Sequence, residues 1–410
     1  MPTTILDQVT LPDRWYHDDD HFAHALFKRQ STTPPSPSDF PQVGSPSWAA
    51  AYPVGTPVSS AMPQAWQNAL NNAVQAGTIP NIQPSAANES GRYPVLPSQL
   101  CSNTYGCRIP GVIYDAPPGV WALSFDDGPL PPSDTLYAFL RQNGQKATHF
   151  FIGMNIVNFW PEFNLAFQTN QDDIAVHTWT HPHMTALSNA DVTAQLGWSL
   201  QIIYNSTGGR LARYWRPPYG DVDARVAAIA LEVFGLQTIV WNRDTSDWSL
   251  GLPGGTSPQA VGSNMQQWLS GPQNPGLIIL EHELTDYSVQ AFMTAYPLAK
   301  QYNWNVQSLA SVVGTNGAYQ NLGNPAGQPT LAPLVAGSNG SAGLTLPATT
   351  STSSSTPPSS PTNTNSSGSR SQSTSLPASV KTGGAPPISR SIPLTLSVCT
   401  LALVFSFCLF

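Results

Sequence analysis

Between residues 119 and 313, short apolar or β-branched runs alternate with stretches patterned like helices, and that rhythm limits the fold more than any other feature. The runs are VWALSF, ATHFFIG, DIAVHT, ARYWR, TIVWN and GLIILEH, and helical spacing fills 132–143, 189–205 and 222–234 between them. Strands alternating with helices imply parallel β/α units. Six runs in so short a stretch suggest a compact barrel rather than a doubly wound sheet, although the rhythm alone does not decide.

Ionisable residues follow the runs. Asp126 and Asp127 close the first, His177 and His181 the third, Arg216 the fourth, Asp244 and Asp247 come after the fifth, and His282 ends the last. The C-terminal ends of strands are where β/α folds place their sites. Two neighbouring carboxylates repel, and a divalent cation would relieve that repulsion. In HTWTHPH, residues 177–183, two imidazoles are spaced to reach one ion. Thr178 stands where a helical zinc protease needs Glu. Pro182 disfavours an α conformation at His181, so the motif belongs on a strand-end loop. Two His and one Asp form a common zinc set that leaves a position for water. His149, inside an apolar run, reads as a core histidine, and His183 is extra to the set.

In order along the chain, SFDDGP, HTWTHP, RPPYG, DTSDW and LEH closely resemble the five motifs of the carbohydrate esterase family 4 polysaccharide deacetylases, the NodB homology domain. The surrounding wording is similar to that of fungal, lipid-anchored chitin deacetylases. Ser124 stands where Thr is more usual. The resemblance implies a distorted (β/α) barrel with fewer than eight strands, acting on chitin or chitooligosaccharides to release acetate. It assigns Asp127, His177 and His181 to a divalent metal, Zn²⁺ or alternatively Co²⁺. Asp126 would be the general base and His282 the general acid. Arg216 would orient Asp126, and Asp247 would tune His282. The backbone N–H of Tyr219 would receive the oxyanion, and Trp248 and Leu280 would wall a pocket for the acetyl methyl.

The remainder of the chain reads as accessory. Only 10% of residues are charged and the net charge is -7, without the basic patch of a nucleic-acid binder. Residues 1–30 show no basic region followed by an apolar one, and Lys28-Arg29 reads as a processing site closing a pro-segment. HDDDH at 17–21 reads as a solvated acidic run. Residues 31–118 form a Pro-rich linker and extension, with 31–60 as linker and one capped amphipathic helix at 62–77. Cys101 and Cys107 suit a small disulfide loop in an oxidising compartment, a reactive or metal-binding pair being the alternative. Sequons stand at Asn88, Asn205, Asn339 and Asn365. The catalytic domain is expected over 119–313 and a Ser/Thr/Pro-rich stalk over 314–390, with the outer segments disordered. Residues 391–410 are apolar and long enough to span a bilayer. Small residues lie upstream and nothing basic follows, which is the layout of a glycosylphosphatidylinositol attachment signal, with Gly383 as attachment residue. The expected enzyme is a monomer at the outer face of the plasma membrane, in the cell wall or outside the cell.

Overall fold

The computed structural model describes residues 40, 42–86, 91–93, 100–314 and 317–322. The chain divides into two units, Met1–Gly343 and Leu344–Phe410, and the second lies outside the described residues. So do the pro-segment, most of the stalk, the apolar tail, Asn88, Asn339, Asn365 and Gly383. No helix among the described residues is long and apolar enough to cross a membrane.

The core strand is β1 (Val120–Asp126), and all seven of its residues are buried, as expected of a parallel strand covered on both faces. It is followed by β2 (Thr148–Phe151), β3 (Asp173–Val176), β4 (Tyr214–Trp215), β5 (Gln237–Thr238), β6 (Arg243–Asp244), β7 (Ile279–Leu280) and β8 (Asn305–Ser308). The main sheet has the order β5-β4-β3-β2-β1-β8, and β6 pairs with β7 in a second sheet. Every pairing is parallel. β7 lies against β1 through the bridges Trp121–Leu277 and Asp126–His282. The segment 237–244 therefore closes the ring, pairing with β4 at its start and with β7 at its end. The result is a distorted (β/α) barrel with six strands in its main sheet.

The expected helices form within a residue or two of their predicted bounds. They are α1 (Gln64–Gln75), α2 (Ser133–Gln142), α3 (Asn189–Ser206) and α4 (Ala224–Phe234). Asp223 accepts from the Val226 N–H at 2.7 Å and thereby sets where α4 begins. Of the 18 residues in α3, 14 are buried, far more than a surface helix hides.

The segment that covers α3 corrects the expectation of a linker. Trp48, Ala51 and Tyr52 are buried, and the Trp48 indole donates to the Ser206 hydroxyl at 3.1 Å. On α1, Trp66 packs edge-on against Trp198 and Phe234. A Cβ at Gly197 would lie 2.5 Å from the Trp66 ring, so α3 needs glycine at that crossing. Residues 42–60 are thus an outer layer of the barrel, because their aromatic side chains bury more surface than their prolines would suggest.

Two further corrections follow. Asn205 is only 2% exposed, and its amide donates to the Tyr52 hydroxyl at 2.9 Å, so the folded domain has no room for a glycan at that sequon. The domain also continues past residue 313. Tyr319 is buried opposite Ala212, and Arg213 donates to the carbonyls of Gly317 and Tyr319 at 2.9 Å.

Candidate metal-dependent active site

The predicted ionisable residues, apart from Asp244, meet at one end of the barrel. Asp126 ends β1, and Asp127 turns out of it with φ +73°. That turn is pinned: Asn155 Nδ2 donates to the Asp127 carbonyl at 2.8 Å and the Ile152 N–H to that of Gly128 at 3.0 Å. A Cβ at Gly128 would lie 2.3 Å from Glu283 Cδ, which accounts for glycine in the first motif. His177 directly follows β3, and His181 follows on a loop where Thr178 and His181 both have positive φ.

Among the described residues, seven that are not glycine have positive φ, and five of them, Asp127, Thr178, His181, Tyr219 and Ser246, lie in the site loops. Such backbone persists where its surroundings over-determine it, and it concentrates at functional sites.

Asp127 Oδ1 lies 3.3 Å from His177 Nε2 and 3.2 Å from His181 Nε2. The three ligand atoms fall within 4.8 Å of one another. His177 Nδ1 donates to the Arg216 carbonyl at 2.8 Å, which leaves Nε2 as the free lone pair. Asp127 Oδ1 is buried without a hydrogen-bond partner. A buried carboxylate oxygen facing two imidazole nitrogens is the donor set of a divalent cation, so these residues fit a metal. Burial alone would raise the Asp127 carboxyl, but the two imidazoles and the charge of His282 hold it well below the usual carboxylate range.

Two pairs flank the triad. Arg216 is fully buried, donating from Nη1 to Asp126 Oδ1 at 2.7 Å and from Nη2 to Ser124 Oγ at 3.0 Å. Its guanidinium lies 4.2 Å from the centre of the Phe150 ring. Ser124 therefore has a task that its place in the motif did not reveal. In the second pair, Asp247 Oδ1 meets His282 Nδ1 at 2.6 Å. Burial works against charge on His282, yet Asp247, with help from Asp127 and Asp126, raises its pKa to about 10.

The other predicted residues are placed less uniformly. Leu280 is buried in β7, while Trp248 is 49% exposed and Tyr219 60% exposed. Asp244 is exposed and accepts from the Ser246 N–H, so it stays out of the cluster. The Cys101–Cys107 disulfide is formed.

Sequence reasoning missed a second buried cluster, which adjoins the first through Glu283. His149 Nδ1 meets Glu283 Oε1 at 2.7 Å and its Nε2 meets Asp172 Oδ2 at 3.3 Å, while Tyr137 donates to Glu283 Oε2 at 2.6 Å. The placement of His149 in the core holds, and its partners are the acids at 172 and 283. Glu283 also forms the wall behind Gly128 and donates its backbone N–H to the Asp126 carbonyl at 3.1 Å.

A family model described as polysaccharide deacetylase matches residues 114–238. Chitin deacetylase 3 of Cryptococcus neoformans var. neoformans serotype D is 39% identical over 321 residues, 75% of this chain and 74% of that one. Chitin deacetylase 2 of C. neoformans var. grubii serotype A is 44% identical over 188 residues, 45% of this chain and 40% of that one. A solved chitin deacetylase of Colletotrichum lindemuthianum aligns with a TM-score of 0.47 and 23% identity, over 52% of this chain and 96% of that one. The chain belongs to the polysaccharide deacetylase family.

Proposed function

We propose that this protein is a chitin deacetylase, hydrolysing the N-acetyl groups of N-acetylglucosamine residues to leave chitosan and acetate. The observation that carries this reading is the convergence of Asp127, His177 and His181, flanked by the Asp126–Arg216 and His282–Asp247 pairs. The family and the names of the relatives support the substrate class.

Asp127, His177 and His181 would hold a divalent cation, zinc by preference and cobalt as the alternative, which would supply Lewis acidity to the site when bound. Asp126 takes the proton of the attacking water, its carboxylate aimed by Arg216. The Tyr219 backbone N–H receives the oxygen that becomes negative as the acetyl carbon turns tetrahedral. His282 gives its proton to the nitrogen as the C–N bond breaks, so the sugar leaves as an amine. Asp247 holds His282 in the protonated form with its transferable proton on Nε2. Trp248 and Leu280 enclose the acetyl methyl.

The enzyme is a monomer that carries glycans at Asn88, Asn339 and Asn365. A glycosylphosphatidylinositol anchor at Gly383 and the Ser/Thr-rich stalk hold it at the outer face of the plasma membrane, within reach of wall polymer. Release of the protein from membranes by phosphatidylinositol-specific phospholipase C supports this placement, whereas recovery of the 391–410 peptide from mature protein contradicts it. The activity itself is tested by incubating the protein with chitin oligomers and following loss of acetyl groups by mass spectrometry.

A further inference from the structure

Residues 101–107 precede the family match, which begins at residue 114, yet they press on one of the site's own turns. The Cys101–Cys107 disulfide closes them into a loop. The start of that loop runs antiparallel to residues 222–224: Asn103 N–H donates to the Val222 carbonyl at 2.9 Å and Ala224 N–H to that of Cys101 at 3.1 Å. Two side chains then reach further back along the turn. Asn103 Nδ2 donates to the Gly220 carbonyl at 2.9 Å, and Thr104 Oγ1 donates to Asp221 Oδ1 at 3.2 Å. From the opposite side, Asp221 accepts from the Thr185 N–H at 2.9 Å.

Tyr219 sits at the head of this clamped turn. Its φ is +59° and its ring stacks on His183 at 4.1 Å, edge-on to the metal-site residue His181 at 4.6 Å. A Cβ at Gly220 would lie 3.0 Å from both Asn103 Nδ2 and the Trp241 ring, so loop and turn touch without slack. Left-handed backbone at a tyrosine needs such outside support.

We propose that the disulfide loop is a positioning element for the reaction, with Asn103 and Thr104 holding residues 219–221 so that the Tyr219 N–H faces the reacting carbonyl beside His181. This rests on the reading of Tyr219 given above. A misplacement of about 1 Å in such a group costs about 10²-fold in rate.

The test compares the full chain with Asn103→Ala/Thr104→Val, measuring kcat and KM on a chitin oligomer, bound zinc, and hydrogen–deuterium exchange at Gly220 and Asp221. Asn103→Ser alone, which keeps the backbone pairing but cannot reach the Gly220 carbonyl, serves if the double variant does not fold. The expected result is a kcat lower by about 10- to 100-fold with KM within about twofold, zinc content unchanged and exchange at the two amides accelerated. Wild-type kcat in the variant, or loss of zinc along with activity, would overturn the proposal. If the wild-type chain releases no acetate, the proposed function fails, and the positioning claim is decided by exchange alone, with unaltered exchange at Gly220 and Asp221 counting against it.

Discussion

Asp247 holds His282 twice, with Oδ1 2.6 Å from Nδ1 and Oδ2 accepting the His282 backbone N–H at 2.9 Å. One carboxylate thus fixes ring orientation and charge together. Burial would lower the His282 pKa, and Asp247 is the main reason that it stands at about 10 instead. In Asp247→Asn the imidazolium loses its principal counter-charge and deprotonates at lower pH. The alkaline limb of the kcat profile should therefore move to lower pH, as a pH–rate series on the folded variant would show. An unmoved limb would exclude Asp247 from tuning the acid.

Asp126 and Asp127 are adjacent but face different partners, Arg216 for the first and the two imidazoles for the second. Asp126→Asn should keep the metal and lower kcat by about 10² to 10⁴. His177→Ala should lose metal and activity together. Metal analysis alongside kinetics separates these outcomes, and the reverse pattern would mean that the roles are exchanged.

The buried cluster around His149 makes a stability prediction. Burial lowers the His149 pKa, but Glu283 and Asp172 outweigh it and raise the group to about 10. A raised folded-state pKa contributes stability that is fully present below the unfolded value of about 6.5 and is lost as pH climbs toward 10. The thermal midpoint of the wild type should fall across that window, and that of His149→Ala should fall less. His149→Ala should also be less stable at neutral pH by about 3–5 kcal/mol, since two acids lose their buried partner. Denaturation at two pH values tests both statements.

Trp66 joins the outer segment to the barrel through Trp198, Phe234 and Gly197. Trp66→Ala should cost about 3–5 kcal/mol. A chain begun at residue 114, where the family match starts, should be far less soluble than one begun at residue 40, since it would uncover α3. Expression and denaturant titration of the two would decide this.

The site was more legible in the sequence than its supports. Asp126, Asp127 and His177 come straight after apolar runs, and His181 and His282 lie within a few residues of one, so strand ends could be read from hydrophobicity and the candidate chemistry from the residues after them. β8 was missed because NVQS carries a single strongly apolar residue; it pairs with the first half of β1. TIVWN reads as one strand, whereas its segment splits its pairing between β4 and β7, a division that depends on tertiary closure and leaves no local mark. Residues 42–60 look like linker by proline and serine content, and only the partners of Trp48 and Tyr52, more than 100 residues away, reveal them as core. The contact of Asn103 with Gly220 is hidden for the same reason.

The central claim is that acetate release depends on a cation held by Asp127, His177 and His181. The most direct measurement strips the full chain with chelator, adds zinc back stepwise, and follows both bound metal and acetate released from a chitin oligomer. The account predicts no release from the stripped protein, a rise in step with bound zinc until about one equivalent per chain is taken up, consistent with a single three-ligand site, and no such rise in His177→Ala. Undiminished release from the stripped protein, or none from protein with zinc bound at that site, would contradict it.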